Sequence, residues 1–196
     1  MNEIEYDAST ALLVVDMQND FAHPDGSLHV GGGDDVVHAV NREIEKAEAA
    51  DALVVYTQDW HPPVTPHFEK DGGIWPVHCV GDTWGAEFVD GLRVAGASVK
   101  KGTGGEDGYS GFTVRHPETG HETDTEMADL LEARGITRVV VVGLALDYCV
   151  KDTAIDAAEL GLPTTVLMEA TRPVDLRPGD GDRATEALRA AGVSLA

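Results

Sequence analysis

The sequence is poor in cysteine and in basic residues, and it contains no long apolar run. Its two cysteines, Cys79 and Cys149, cannot build a disulfide framework, and a reducing compartment would keep both as thiols. Fourteen Lys and Arg against 35 Asp and Glu give a net charge of −21, which disfavours binding to nucleic acid or to anionic membranes. No segment approaches the length of a membrane span, and the first ten residues lack the features of a signal peptide. We therefore expect a cytoplasmic protein that binds neither nucleic acid nor membrane.

What the sequence does contain is an alternation of strand and helix patterns. Nearly continuous apolar runs at 11–15, 52–57, 139–146 and 163–168 are typical of strands buried on both faces of a parallel sheet, with weaker candidates at 97–100 and 193–195. Apolar residues at helical spacing predict helices near 36–47, 150–157 and 182–191. Thr123 and Glu126 fit a capping box, which predicts a further helix starting at Thr123. The pattern favours one α/β domain over residues 1–196, a three-layer α/β/α domain with a mainly parallel central sheet.

Reactive side chains follow the apolar runs. The first run ends at Asp16, the second leads to Asp59 and His61, the weak third to a pair of lysines and the fourth to Cys149. Ligands bind beyond the carboxyl ends of parallel strands. We therefore expect a carboxylate, metal-type ligands, an ammonium and a thiol at one edge of the sheet.

Cys149 is the candidate nucleophile. At the first turn of a helix, the helix dipole and free N–H groups lower the pKa of a thiol, although most free cysteines are packing residues. Asp16 is either a cap of the following loop or the partner of a cation. Lys100 and Lys101 are both candidates for that cation, and one of them is expected to be a surface lysine. A carboxylate, an ammonium and a thiol together can form an activated nucleophile.

The segment "QDWHPPVTPHFEKDGGIWPVHC", residues 58–79, concentrates candidate metal ligands. They are Asp59, His61, His67 and His78. Imidazole and carboxylate suit zinc, manganese or iron, and the spacing matches no standard structural zinc site, so an open catalytic or substrate-holding site is the hypothesis. The alternative is a set of unrelated loop histidines. Phe21 and Trp75 could stack on a flat ring, although single aromatics are more often packing residues.

Five motifs now carry a resemblance to a known family. "VVDMQNDF", "QDWH", "WPVHC", the "KG…YSGF" segment and "GLALDYCVKDTAIDA" occur in this order over residues 10 to 170. Together they resemble the nicotinamidase branch of the isochorismatase-like cysteine hydrolases. The resemblance implies a catalytic triad of Asp16, Lys101 and Cys149. Lys101 is preferred because the family's lysine immediately precedes a glycine, although the second lysine, Lys100, and the variable linker at 103–108 depart from the pattern.

The resemblance also implies the rest of a site. Asp59, His61, His67 and His78 match the ligands of one divalent metal ion (zinc, iron or manganese), with two waters completing its shell. The peptide between Leu144 and Ala145 is cis in the family and helps aim the N–H groups of Ala145 and Cys149 at an oxyanion. Substrate-binding positions, including the residues that sandwich a pyridine ring, correspond to Phe21, Trp75, Tyr109 and Leu144.

The activity that the resemblance implies is hydrolysis of nicotinamide, or a similar pyridine or pyrazine amide, to the acid and ammonia through a thioester on Cys149. The complete metal cluster argues for a pyridine amide, because relatives that act on other substrates generally lack it. One alternative is a related amidase that acts on another small amide or ureido compound. A second is a non-catalytic metal-binding or partner-binding domain on the same scaffold. The chain could also form a homo-oligomer.

Overall fold

The computed structural model describes residues 4–196, and this part of the chain forms eight strands. They are β1 (Thr10–Val15), β2 (Leu53–Asp59), β3 (Ala97–Lys101), β4 (Thr113–Arg115), β5 (Glu122–Asp124), β6 (Arg138–Leu144), β7 (Thr164–Arg172) and β8 (Ser194–Leu195). Six of them form a sheet in the order β3-β2-β1-β6-β7-β8, in which every neighbouring pair is parallel. β4 and β5 form a separate antiparallel hairpin.

Five α-helices connect the strands within the described residues. They are α1 (Asn19–Ala22), α2 (Val37–Ala49), α3 (Met127–Ala133), α4 (Lys151–Glu159) and α5 (Asp180–Ala190). The apolar residues of α2 share one buried cluster with Leu12 and Val14 of β1, whereas those of α3, α4 and α5 share another with Leu13 and Val15. Successive side chains of β1 therefore pack against the helix layers on opposite faces of the sheet. The predicted three-layer α/β/α architecture is confirmed.

The strand predictions hold, with shifted ends. All six residues of β1 are buried, as expected of a central parallel strand. β6 ends at Leu144 rather than at residue 146, because a π-helical turn over Leu146–Val150 follows the strand and leads into α4. β7 continues to Arg172, beyond the predicted end at 168.

The predicted start of the third helix is wrong. Thr123 lies in β5, where it pairs with Val114 of β4, and α3 begins only at Met127. The Thr123 side chain therefore caps nothing at α3. Thr123 is β-branched, which suits it to its place in the hairpin. The hydroxyl of Thr125 instead accepts a hydrogen bond from the Met127 N–H at 3.2 Å.

The sheet order determines where the site forms. The strands β3, β2, β1 and β6 are consecutive neighbours, so the residues at their carboxyl ends meet at one edge. In the β2–β3 register, Asp59 lies directly opposite Lys101. Of the helices in the part of the chain that the structure describes, none has the length and apolar character needed to cross a bilayer.

Candidate active site

Lys101 lies at the centre of a buried group of reactive side chains. Its Nζ is 2.9 Å from Asp16 Oδ2, donates a hydrogen bond to Asp59 Oδ1 and is 3.7 Å from Cys149 Sγ. Lys101 is only 1% exposed, and Asp16 is fully buried. The structure thus brings together the three residues that the motifs single out as a triad, and adds Asp59 to them.

The structure separates the two adjacent lysines. Side chains alternate between the two faces of a strand, and in β3 Lys101 is buried while Lys100 is exposed. The Lys100 Nζ lies 3.2 Å from the centroid of the Trp60 ring, which is a cation–π contact on the outside. Lys100 is therefore the surface lysine of the pair.

Thr57 holds Asp16 in place. Asp16 has a positive φ of 46°, an uncommon conformation for a residue other than glycine. The Thr57 hydroxyl donates to Asp16 Oδ1 at 2.6 Å and accepts a hydrogen bond from the Asp16 N–H at 3.2 Å. With Oδ1 engaged by Thr57, Oδ2 is the oxygen that faces Lys101.

Burial dominates the proton equilibria of the triad. It raises the pKa of the Cys149 thiol well above its usual value, although Lys101 opposes this shift. Burial also raises the pKa of Asp16, again against the pull of Lys101, and an Asp16 carboxylate oxygen lies within 4.8 Å of the Cys149 sulfur. For Lys101, burial lowers the pKa, but the attraction of Asp16 and Asp59 outweighs it and leaves the pKa well above its usual range. The resting group thus has a neutral thiol beside an ammonium, and at Asp16 burial, which favours the protonated carboxyl, acts against Lys101, which favours the carboxylate.

The expectation that the start of a helix lowers the thiol pKa is wrong for this conformation. Cys149 lies in the π-helical turn, two residues before α4 begins. Removal of the sulfur from water disfavours the thiolate by more than Lys101 restores. A thiolate at Cys149 therefore requires a base that accepts its proton.

The four predicted metal ligands form a compact cluster beside the triad. One ring nitrogen each of His61, His67 and His78 lies within 4.8 Å of the other two. Asp59 Oδ2 is 3.8 Å from both His61 Nε2 and His78 Nε2, and the His61 and His67 rings stack with centroids 4.6 Å apart. All four side chains are buried.

The hydrogen bonds of two histidines fix which nitrogen faces inward. His78 Nδ1 is 2.7 Å from the Pro76 carbonyl oxygen, which can only accept, so Nδ1 carries the proton and Nε2 a lone pair. His67 Nδ1 is 2.7 Å from Asp107 Oδ1. That hydrogen bond holds the pKa of Asp107 below its usual range. The ionised carboxylate accepts the Nδ1 proton, which leaves His67 Nε2 as the ring nitrogen available to a ligand.

His61 and Asp59 test whether this cluster fits a metal ion. Both ring nitrogens of His61 are buried without a hydrogen-bond partner, which is costly unless something else satisfies them. Burial lowers the pKa of His78 to about 4, against the opposing effect of Asp59, and Lys101 keeps the pKa of Asp59 far below its usual range against the effect of burial. Neutral imidazoles and an ionised carboxylate are the donors that a divalent ion such as zinc requires, so the residues fit one.

A cavity opens onto the Cys149 thiol and onto His67 and His78. Its lining includes all the predicted substrate-binding residues: Phe21, Trp75, Tyr109 and Leu144. It also includes Asp59, His67, His78, Ala145 and Cys149. The Trp75 Nε1–H donates to the Tyr109 hydroxyl at 3.1 Å. The arrangement presents a chamber lined by aromatic and aliphatic side chains, with a thiol and histidine rings in its wall.

The backbone before Cys149 has the predicted cis peptide between Leu144 and Ala145. The Ala145 carbonyl accepts hydrogen bonds from the Tyr148 and Val150 N–H groups, both at 3.1 Å. Gly143 precedes this segment with a φ of 110°, and a Cβ atom there would overlap the Val15 carbonyl. Only glycine lets β6 approach β1 this closely beside Asp16.

Sequence reasoning missed four residues of the site. Thr57 orients Asp16 and Asp107 orients His67. Gln18 clamps Asp59, since its side-chain amide accepts from the Asp59 N–H at 2.8 Å and donates to the Asp59 carbonyl at 2.7 Å. Tyr148 lines the cavity. Gln18 and Tyr148 lie inside the motifs, so their position was a usable signal, whereas Thr57 and Asp107 had none.

Comparison with known proteins gives consistent results. A model of the isochorismatase domain matches residues 10–195. The nicotinamidase of Saccharomyces cerevisiae is 36% identical over 94% of this chain and 97% of the yeast protein. The structure of the Pyrococcus horikoshii pyrazinamidase in complex with zinc superposes with a TM-score of 0.85 at 39% identity, over 96% of this chain and 98% of that one. PnC1 from L. infantum in complex with nicotinate superposes with a TM-score of 0.87 at 35% identity, over 98% and 95%.

Proposed function

Because the chain belongs to the isochorismatase family and is an amidohydrolase, we propose that it hydrolyses nicotinamide, or a closely similar pyridine or pyrazine amide, to the acid and ammonia. The resemblance drawn from the five motifs is thereby confirmed at the level of the family. The observation that carries the proposal is the meeting of a thiol, a carboxylate and an ammonium with a histidine cluster in one aromatic cavity. A relative that binds zinc and another that binds nicotinate support the same substrate class.

In the first half of the reaction, Asp16 takes the proton from the Cys149 thiol as the sulfur attacks the carboxamide carbon. The position of an Asp16 carboxylate oxygen within 4.8 Å of the Cys149 sulfur supports this assignment, and so does the raised thiol pKa, which demands a base. The N–H groups of Ala145 and Cys149 would hold the oxyanion. The C–N bond then breaks, the proton on Asp16 leaves with ammonia, and a thioester remains on Cys149.

In the second half, a water molecule attacks the thioester carbon. Asp16 takes a proton from this water, the C–S bond breaks and the acid is released. The sulfur recovers the proton and the starting state returns. Lys101 keeps its charge throughout and stabilises the anions that form on either side of it, consistent with its high pKa.

Asp59, His61, His67 and His78 would hold one divalent ion, of which zinc, iron and manganese all suit the donor set. When bound, the ion supplies a Lewis acid to which the pyridine nitrogen can bind. Phe21, Trp75, Tyr109 and Leu144 would confine the ring, so that its carboxamide lies over Cys149. Location in the cytoplasm and assembly into a homo-oligomer stay predictions.

The test measures ammonia released from nicotinamide by the purified protein. We expect Cys149→Ala to lower kcat by at least about 10³-fold, as loss of a nucleophile does, while metal content stays that of the unmodified protein. Cys79→Ala is the matched control, because Cys79 is the other cysteine of the chain and its sulfur is buried in a hydrophobic cluster, where it donates to the Gly85 carbonyl at 3.8 Å. Ammonia release that persists in Cys149→Ala would refute the nucleophile. Activity on ureido compounds but not on pyridine amides would refute the substrate.

A further inference from the structure

The segment 102–108, here called the outer loop, covers the histidine cluster from outside. It begins directly after Lys101. A Cβ atom at Gly102 would lie 2.6 Å from His61 Nδ1, so the backbone of the loop packs against that ring. Further along, the Gly105 carbonyl accepts a hydrogen bond from the Thr65 hydroxyl at 3.0 Å, and this hydroxyl accepts one from the His67 N–H at 3.3 Å. The loop thus contacts the ligand-bearing segment at several points.

Asp107 is the one charged residue of the outer loop that contacts a histidine of the cluster. Its backbone is fixed to β4 by two hydrogen bonds with Arg115, one in each direction, at 2.7 and 2.6 Å. Its Oδ2 accepts from the Arg115 guanidinium at 3.2 Å, and its Oδ1 accepts from the Gly108 N–H at 2.9 Å. These contacts hold the carboxylate still, with Oδ1 also against His67 Nδ1 at 2.7 Å.

The three histidines differ in what holds them. His67 has a carboxylate on Nδ1, His78 has a backbone carbonyl, and His61 has no hydrogen-bond partner on either nitrogen. A carboxylate on the outer nitrogen fixes the tautomer and the ring plane, and it makes the inner nitrogen a stronger donor. Of the three, His67 is therefore the one whose metal-binding nitrogen is most fully prepared by the protein.

We propose that Asp107 is a positioning residue for the metal site, which raises the affinity for a divalent ion by orienting His67. The inference rests on the metal site of the proposed function, but not on the substrate. The outer loop carries no motif residue between Gly102 and Tyr109. The proposal gives this linker a role in retaining the metal ion.

The test measures the dissociation constant for Zn²⁺ by competition with a chromophoric chelator, on protein first stripped of metal. We expect Asp107→Ala to weaken binding by about 10- to 100-fold, the usual effect of losing such a partner. Asp107→Asn should weaken it less, because the amide oxygen can still accept from Nδ1. Glu106→Gln is the matched control: it removes the same charge from the same loop, and Glu106 accepts only from the Gly104 N–H. We expect it to bind within twofold of the unmodified chain.

A second readout separates positioning from loss of structure. The visible absorption of the Co²⁺-loaded protein reports ligand geometry, and we expect it to change in the Asp107 variants but not in Glu106→Gln. Circular dichroism of the metal-free proteins checks folding, and Asp107→Asn decides the question if Asp107→Ala does not fold.

The proposal is overturned if the folded Asp107 variants bind Zn²⁺ within twofold of the unmodified chain, or if Glu106→Gln weakens binding as much as Asp107→Asn. Failure to bind Zn²⁺ by the unmodified chain would overturn both this inference and the metal site. A chain that binds Zn²⁺ but releases no ammonia would overturn the proposed reaction alone, and the inference about Asp107 would stand.

Discussion

The two halves of the site, the triad around Lys101 and the histidine cluster around His61, are completed in different ways. Around Lys101, every charge has a partner within the chain, since one ammonium faces the carboxylates of Asp16 and Asp59. Around His61, by contrast, buried ring nitrogens have no partner. Asp59 belongs to both halves, with Oδ1 on Lys101 and Oδ2 facing the histidines. Folding alone therefore assembles the triad, whereas the histidine cluster is prepared for a ligand that the chain does not supply.

The largest effect on the triad half is expected from the substitution Lys101→Met. The substitution leaves two buried carboxylates without their cation, so we expect a loss of about 3–5 kcal/mol in the free energy of unfolding, together with loss of ammonia release. Lys100→Met is the matched control, one residue away on the exposed face of β3, and should change stability by less than about 1 kcal/mol. Urea unfolding of both variants measures the difference. Similar losses in the two would contradict the central role of Lys101.

The histidine half should respond to metal where the triad half does not. Because a ligand that binds only the native state stabilises it, saturating Zn²⁺ at about 100 times its dissociation constant should add about 2.7 kcal/mol. Chelation should remove this gain and ammonia release together. We expect Cys149→Ala to keep the gain and His61→Asn to lose most of it, measured by thermal unfolding with and without Zn²⁺. A gain in His61→Asn equal to that of the unmodified chain would argue against His61 as a ligand.

Low pH should destabilise the metal-free protein through the histidine cluster. Burial lowers the pKa of His78 to about 4 from the ordinary 6.5, so between these values the unfolded chain binds a proton that the native chain does not. Stability contributed by neutral His78 is therefore present above pH 6.5 and is lost as the pH falls towards 4, by on the order of 3 kcal/mol. Urea unfolding across this range should show a shallower slope in His78→Gln than in the control His38→Gln, whose side chain is exposed. Parallel slopes in these two variants would exclude His78 as the source.

The smallest expected effect concerns the orientation of Asp16, the proposed base. Thr57→Val keeps the methyl group that packs near Gly111 but removes the hydroxyl on Asp16. We expect kcat to fall about tenfold, the value of one hydrogen bond to a charged group, with KM little changed. Thr57→Ser keeps the hydroxyl and should stay within about twofold of the unmodified chain. The pH profile of kcat should also shift in Thr57→Val, and a loss shared equally by Val and Ser would assign Thr57 to packing alone.

Much of this architecture was predictable from the sequence, because strands buried on both faces are continuous apolar runs and their ends had to meet at one edge. The choice between Lys100 and Lys101 rested on the resemblance, since a weak strand such as β3 gives no register from its sequence. The ionisation of Cys149 was not predictable, because local helix position suggested one direction and burial, a tertiary property, imposes the other.

The residues that support the site were the least predictable. Thr57 reaches Asp16, and Asp107 reaches His67, across sequence separations of about 40 residues. Neither has an unusual neighbourhood in the chain. The failed helix start at Thr123 has a related cause, since a local capping pattern was overruled by pairing with Val114 across the hairpin.

Gly143 has a consequence for protein engineering. Its lack of a side chain lets two strands meet next to the Asp16 carboxylate, so even alanine would force the strands apart and displace that carboxylate. Attempts to broaden the range of amides accepted should leave this position untouched. The positions to vary in a mutant library are instead Trp75, Tyr109 and Tyr148. Their rings contact one another edge to face, and they can be replaced by larger or smaller side chains without disturbing the sheet.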